Sequence, residues 1–373
     1  MINPFKKILQ SLIVLLFISS AVVAQNNNED YLKYSWKKVA TQMPDQWYST
    51  ADAQRVAETV LFCQQDNGGW QKNKPYHLPL TKQDSSKITG SRSGVGSTID
   101  NGATTTEMIF LAKMNTAGAN ERYAKAFNRA LDFLLEAQYK NGGWPQFYPF
   151  RDGKSVSYAS HITYNDNAMV NVLQLLRDVA ASAKPFNAIP VDAAKKEKAK
   201  QAYSKGIECV LNTQIKKNNQ LTVWCAQHDE FTLLPANARA YELASFSGSE
   251  SVGIVYLLME IENPSQQIIT AVTSAVKWMD AHKLTGIKLE NKPGADGKRN
   301  MLVVQDATAV PLLARFYDLE TEQPFFCDRD GIKKPALADI GSERRNGYSW
   351  YSDAFPPLQK QYNKWLAKWN VKE

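Results

Sequence analysis

Cysteine is scarce in this 373-residue chain, and the four present (Cys63, Cys209, Cys225 and Cys327) include no C-x-x-C pair. That spacing excludes a cysteine-built zinc site and leaves any disulfide pairing unread. Strand signals are also few and short, with "LTVWCA" at 221–226 the clearest, which argues against an all-β architecture. Concentrated positive charge is missing as well. The net charge is +7, but the lysines are dispersed, and the run "DAAKKEKAKQAYSKG" at 192–206 reads as a solvated helix face, not a nucleic-acid patch. What is present is ordinary globular material, with 44% apolar and 22% charged residues, enough to build a sizeable core.

Residues 1–24 combine Lys6 and Lys7, an apolar run from Ile8 and small residues before Gln25. This is the layout of a secretory signal peptide, so the expectation is an exported protein, periplasmic or secreted, with one domain over 25–373. No cysteine follows the cleavage region, so no lipid anchor is expected, nor stable membrane association after cleavage. Removing the two lysines lowers the charge from +7 to +5, which still favours an anionic partner by long-range steering. A monomer is the simplest expectation.

Apolar residues recur at helical spacing over about 51–66, 103–115, 121–138, 165–181, 192–213, 248–262, 266–282 and 356–369. Superimposed on them is a repeat. Gln64 to Trp70 in "QQDNGGW" and Gln138 to Trp144 in "QYKNGGW" share a step of six and lie 138 − 64 = 74 residues apart; Gln214 follows 214 − 138 = 76 residues later, without the glycines. One period holds two helices, which predicts stacked helical hairpins in an all-α barrel or toroid with minor short strands in its loops. Gly-Gly after a helix suits a left-handed cap and reversal, and the tryptophans read as covers for the hairpin ends more than as sugar platforms. Beyond about 310 the chain loses helical periodicity, and it is expected to wrap the open end of the helical body.

Three helix starts carry polar residues of possible chemical use. Asp100 or Asn101 in "STIDNGATTTEM", and Asn165 to Asn167 in "ITYNDNAMVNVL", are each placed to cap a helix. Equivalent ends of stacked hairpins lie side by side, so Asp100 and Asp166 are expected on one rim, as oxygen ligands for a hard cation such as calcium or as an acid and base pair. The third start, "WCAQHDEFTLLPANARAYELAS", presents His228 with Asp229, readable as a base with its orienter, and Arg239 in a loop. Arg329, Arg344 and Arg345 follow in "FFCDRDG" and "ERRNGYSWY", and arginine forks of this kind suit an anionic sugar. "DRDG" lacks the remaining ligands of an EF-hand loop and is discounted as a calcium site.

In this order, "NGGWQKN", "TIDNGATTTEM", "NGGWPQFYP", "YNDNAMVNVL", "QHDEFTLLPANARAYELAS", "DRDG" and "ERRNGYSWY" resemble the family 10 pectate lyases over about residues 53–351. The resemblance implies an (α/α)3-type barrel and calcium-assisted β-elimination of polygalacturonate (pectate) to 4,5-unsaturated products. It further implies Arg239 as the base, Asp100 and Asp166 at the calcium and substrate site, Asn101 beside them, and Arg344 or Arg345 with Arg329 as substrate contacts. Two other readings stay open from the residues themselves: a hydrolase using Asp100 and Asp166 with water, and a non-catalytic glycan-binding protein. A triterpene cyclase, whose helix ends the repeats also resemble, is excluded by the absence of a D-x-D-D motif.

Overall fold

The structure, a computed structural model, describes residues 30–371 apart from 94, 152–153, 295–296 and 298; the expected signal peptide at 1–24 lies outside them. Helices α1 (Trp36–Gln42), α2 (Ala51–Cys63), α3 (Lys82–Ser91), α4 (Thr105–Ala117), α5 (Glu121–Ala137), α6 (Ala168–Ala180), α7 (Ala193–Thr213), α8 (Glu250–Met259), α9 (Gln266–His282), α10 (Ser342–Gly347) and α11 (Phe355–Trp369) follow in chain order. The strands are short, paired antiparallel and confined to connections. No described helix is long and apolar enough to cross a membrane.

Packing sorts the helices into two rings. α4, α6 and α8 contact one another in succession, and each pairs with its sequence successor, α5, α7 or α9. Those partners form the outer ring, joined by α2. This is an (α/α)3-type arrangement of inner–outer hairpins, as the repeat predicts. The inner helices are buried over most of their circumference, α8 through Val252, Ile254, Val255, Leu257 and Leu258, whereas α5 buries one face through Phe127, Leu131 and Leu134.

The repeat has a specific physical job. Gln64 Nε2 donates to the Gly68 carbonyl of its own turn (2.8 Å) and to the Ala126 carbonyl of α5 (2.8 Å). Gln138 does the same for Gly142 (3.0 Å) and Ala202 of α7 (2.8 Å), and Gln214 for Thr222 (2.8 Å) and Ala271 of α9 (2.9 Å). Each glutamine thus stitches one outer helix to the next through a two-point bond, buried at Gln64 and Gln214 and part-buried at Gln138. Each partner tryptophan is fully buried, its indole N–H donating back to the preceding helix: Trp70 to Val60 (2.8 Å), Trp144 to Leu134 (2.7 Å) and Trp224 to Val210 (2.7 Å). The tryptophans are therefore architecture and offer no face to a sugar.

Gly68 (φ 97°) and Gly142 (φ 91°) let these turns lie directly on the backbone carbonyls of Arg129 and Lys205, where a Cβ would collide. In the third repeat Asn218 (φ 50°) and Asn219 (φ 63°) turn a small hairpin between Lys216–Lys217 and Gln220–Leu221, so the missing glycines are replaced by another left-handed pair. "LTVWCA" is accordingly strand only at its start. Past α9 the chain pairs Phe316–Tyr317 with Phe246–Ser247 and Leu313–Ala314 with Tyr351–Ser352. It builds a second apolar cluster around Phe316, Phe326 and Trp350 that includes Tyr241 and fixes this segment to the Arg239 loop. All four cysteines are buried and unpaired.

Gly142→Ala is expected to lose more than about 1 kcal/mol of stability, whereas Gly90→Ala, with open space around it in α3, gains up to about 1 kcal/mol. Urea denaturation of the two variants checks the contrast.

Candidate active site

The residues before α4 and α6 do not cap. Each helix is preceded by a separate 3₁₀ turn, Asp100–Gly102 and Asn165–Asn167, and the N-cap positions proper, Thr104 and Asn167, make no side-chain cap bond. The two turns pack against each other, so Asp100 and Asp166 share a rim as the repeat predicts. They are offset by one position within it. Asp100 and Asn165 open their turns, while Asn101 (φ 53°) and Asp166 (φ 50°) occupy the left-handed middle. Asn and Asp are the non-glycine residues that enter this region most readily, because their short side chains bond locally.

Asp100 is buried and surrounded by donors. Lys72 Nζ and Gln146 Nε2 (2.8 Å) reach Oδ2, and the Asn101 amide reaches Oδ1 (3.1 Å). Asp166 is half exposed; Arg315 Nη2 donates to its Oδ1 (3.2 Å) and Asn165 Nδ2 to its Oδ2 (2.9 Å). Arg315 was not singled out from the sequence. It is buried, and the same Nη2 also reaches Glu250 Oε1 (2.5 Å) and Asn165 Oδ1 (3.0 Å). Burial opposes its charge, but Glu250, Tyr348 and Asp166 outweigh burial and hold the proton more tightly than in free arginine. The available signal was a lone arginine inside the apolar run "VPLLARFY" at 310–317, since a buried charge needs a partner.

Arg239 forms a two-point pair with Glu242, Nε to Oε2 at 2.7 Å and Nη2 to Oε1 at 2.5 Å. The Tyr348 hydroxyl donates to the same carboxylate (2.7 Å), and the Tyr348 ring lies 4.6 Å from the Arg315 guanidinium carbon. One continuous chain of contacts therefore runs Asp166, Arg315, Tyr348, Glu242, Arg239. Burial works against the charge on Arg239 and Glu242 outweighs it, so its proton is also held more tightly than usual. Burial raises the Tyr158 hydroxyl above its usual range, with the charges of Arg239, Glu242 and Asp100 as smaller influences.

The other arginines divide by role. Arg344 lies over Tyr241 at 4.6 Å, on the ring that Arg239 also faces at 4.8 Å, and pairs with Glu343. Arg329 is exposed at the edge of the same ring (5.8 Å) and forms a two-point pair with Glu343 at 2.9 and 3.0 Å. Arg345 instead donates to the carbonyls of Ala338 (3.3 Å) and Ile340 (3.2 Å), which turns its fork to the backbone. Asn101 Nδ2 donates to Asn73 Oδ1 (2.9 Å) at the outer lip.

The reading of His228 as a base oriented by Asp229 does not hold. His228 is fully buried, with Nδ1 2.9 Å from the Leu233 carbonyl and Nε2 accepting from the Cys225 amide (3.1 Å). Asp229 caps its own turn at Phe231 and Thr232 (3.0 and 2.7 Å). "DRDG" is likewise a hairpin turn between Phe326–Cys327 and Lys333–Lys334.

Among the described residues, two places could hold a metal. At the Asp100 and Asp166 rim the donors are carboxylate oxygens, joined by the Oε1 of Gln146, which is buried without a partner while its Nε2 grips Asp100. An all-oxygen set with one orphaned acceptor fits a hard cation such as calcium. The second group, His161, Asp229 and Glu230, has ligand atoms within 4.8 Å of one another. Its mixed nitrogen and oxygen donors suit a borderline ion better, and the His161–Glu230 pair at 3.0 Å already accounts for it.

Two buried groups give opposite pH dependence. Burial lowers His228 from 6.5 to about 4, so its share of stability is complete above pH 6.5 and is lost as pH falls towards 4. Burial raises Glu107 from 4.5 to about 7, so its share is complete below pH 4.5 and is lost as pH rises through 7. Urea midpoints measured from pH 7 down to pH 4.5 should fall more steeply than wild type in Glu107→Gln and less steeply in His228→Gln.

Comparison with known proteins agrees with this geometry. The family model described as pectic acid lyase matches residues 64–356. The family 10 polysaccharide lyase from Cellvibrio cellulosa is similar in structure, with a TM-score of 0.73 at 35% identity over 88% of this chain and 94% of that one. A mutant of it in complex with trigalacturonic acid gives a TM-score of 0.74 at 35% identity, over 88% and 95% of the two chains. No curated protein matches. The match over most of the chain, on a fold of three helical hairpins with acids and arginines gathered at one rim, makes this protein a polysaccharide lyase of family 10, a member of the pectic acid lyases.

Proposed function

We propose that the protein cleaves α-1,4-linked polygalacturonate by calcium-assisted β-elimination, with Arg239 as the base, outside the cytoplasm after removal of residues 1–24. The observation that supports this reading is the unbroken chain Asp166, Arg315, Tyr348, Glu242, Arg239, which links the Arg239 guanidinium to the rim carboxylate Asp166 through four contacts, in a family whose relative binds trigalacturonic acid. Calcium held by Asp100 and Asp166, with Gln146 as a further oxygen donor, would neutralise the uronate carboxylate and acidify the C5 proton.

The chain's own residues do the rest. Arg344 and Arg329 flank Tyr241 and both pair with Glu343, so a neighbouring uronate would meet an arginine fork there by taking the place of that carboxylate. Arg345, committed to backbone carbonyls, supports the segment that presents them. Arg239 takes the C5 proton when its guanidine is neutral; the C5–H electrons form the C4=C5 bond, the C4–O bond breaks, and the glycosidic oxygen leaves with that bonding pair and takes a proton from solvent. Glu242 orients the guanidine but also stabilises its charged form, so a neutral base needs alkaline conditions. Lys72 and Gln146 donate to Asp100, which leaves it an acceptor and poorly placed as the general acid of a hydrolase. Burial of Trp70 and Trp144 removes the stacking faces that a purely binding protein would use.

Arg239→Ala should lower formation of unsaturated product, read by ultraviolet absorbance on polygalacturonate, by about 10²–10⁴-fold with unchanged circular dichroism. Chelation should abolish the wild-type signal and added calcium restore it. Glu242→Gln removes the anion that holds the Arg239 proton, so the acid limb of its pH–rate profile should move to lower pH at reduced rate. A wild-type profile already maximal below neutrality would rule out the arginine base.

A further inference from the structure

The segment "QKNKP" at 71–75 presents its lysines in two directions. Lys72 turns inward onto Asp100, with its ammonium 5.5 Å from the Phe147 ring centroid. Lys74 turns outward, into two cavities of about 390 Å³ each that share Gln71, Asn73, Lys74 and Pro75 as walls. One reaches Asn101 and Gly102 at the lip of the site and is bounded by Trp36 and Lys37. The other continues past Tyr76 to Lys87.

The join to the site is direct. Asn73 is left-handed (φ 59°) and accepts from Asn101 (2.9 Å), so the wall of the groove and the lip of the cleft are one hydrogen-bonded unit. The charge along the groove is net basic. Lys37 and Lys74 are exposed and form no salt bridge among the described residues. Asp84 is engaged by the Thr81 amide and hydroxyl (3.1 and 2.6 Å), and Glu107 lies buried behind Trp36, whose indole donates to it at 2.6 Å. Trp36 itself is only partly buried, and its ring forms an apolar side of the cavity.

We infer that this groove is an additional uronate-binding subsite, which receives sugars of the polymer beyond those at the Asp100 and Arg239 centre through Lys74 and Lys37. The inference rests on the polygalacturonate reading above. A polyanion carries one carboxylate per sugar, so free lysines along a groove leaving the cleft add affinity only for chains long enough to reach them. Neither lysine belongs to the reacting centre, and both are at the surface, so replacing them leaves the fold intact.

The test is calorimetric binding of trigalacturonate and hexagalacturonate, at one ionic strength and with calcium, to Arg239→Ala protein, which lacks the proposed base and does not turn the oligomers over, and to the same protein carrying Lys37→Ala/Lys74→Ala. The expected result is about tenfold weaker binding of the hexamer by the variant, with the trimer unchanged and the hexamer restored by Lys37→Arg/Lys74→Arg. Equal loss for both oligomers, or no loss for either, overturns the subsite. Because binding is read without turnover, failure of the subsite is distinguishable from failure of the elimination reading, which would appear as wild-type protein that binds both oligomers and releases no unsaturated product.

Discussion

A recurrent two-point bond from a glutamine amide organises this protein. Gln64, Gln138 and Gln214 each tie their own turn to the next outer helix with bonds of 2.8–3.0 Å. Replacing one would leave its own turn carbonyl (Gly68, Gly142 or Thr222) without this donor, a cost of about 1–3 kcal/mol where that group is buried, and would remove the second bond to the neighbouring helix. The stitch recurs once per hairpin, and the inner helices α4 and α6 of successive hairpins lie side by side. Their preceding turns therefore touch, and two acidic loops from distant parts of the sequence become one rim. The site is a consequence of how the outer ring is fastened.

Upon that rim the electrostatics are arranged in opposition. Asp100 is met by Lys72, Asp166 and Glu250 by Arg315, and Glu242 by Arg239. Tyr348 and Tyr241 separate the guanidinium groups while lying close enough to stabilise them through their ring faces. A cleft so built carries both signs at short range. On the elimination reading proposed above, anionic substrate and cation would each meet charges already fixed in position, which limits the reorganisation left for the reaction itself.

Much of this was legible in the sequence, for stated reasons. α5, α7 and α9 bury one face against the inner ring, so their apolar spacing survives in the chain and their limits follow from it within a residue or so. The 74–76-residue repeat showed the hairpins because the glutamines and tryptophans serve the same bond in each. α1, α3 and α10 escaped: α1 and α10 are too short to establish a period, and α3 buries nothing. At the site, Asp100 and Asp166 looked like caps because a cap and a 3₁₀ turn just before a helix use the same residue types. Arg315 escaped because its partner Asp166 lies 149 positions away, beyond anything local spacing reports. The difference between Arg344 and Arg345 depends on which side of a six-residue helix faces Tyr241, and no pattern that short encodes it.

Elimination and hydrolysis differ by one water, and that difference tests the central claim most directly. Wild-type protein with calcium and a defined oligogalacturonate should be followed by mass spectrometry of both fragments from each cut. Elimination by Arg239 adds nothing, so the two fragment masses must sum to the substrate mass, with the unsaturated fragment lighter by one water than its saturated counterpart. Fragments that sum to the substrate plus one water would show that water attacked the bond, and would contradict the assignment of this cleft to β-elimination.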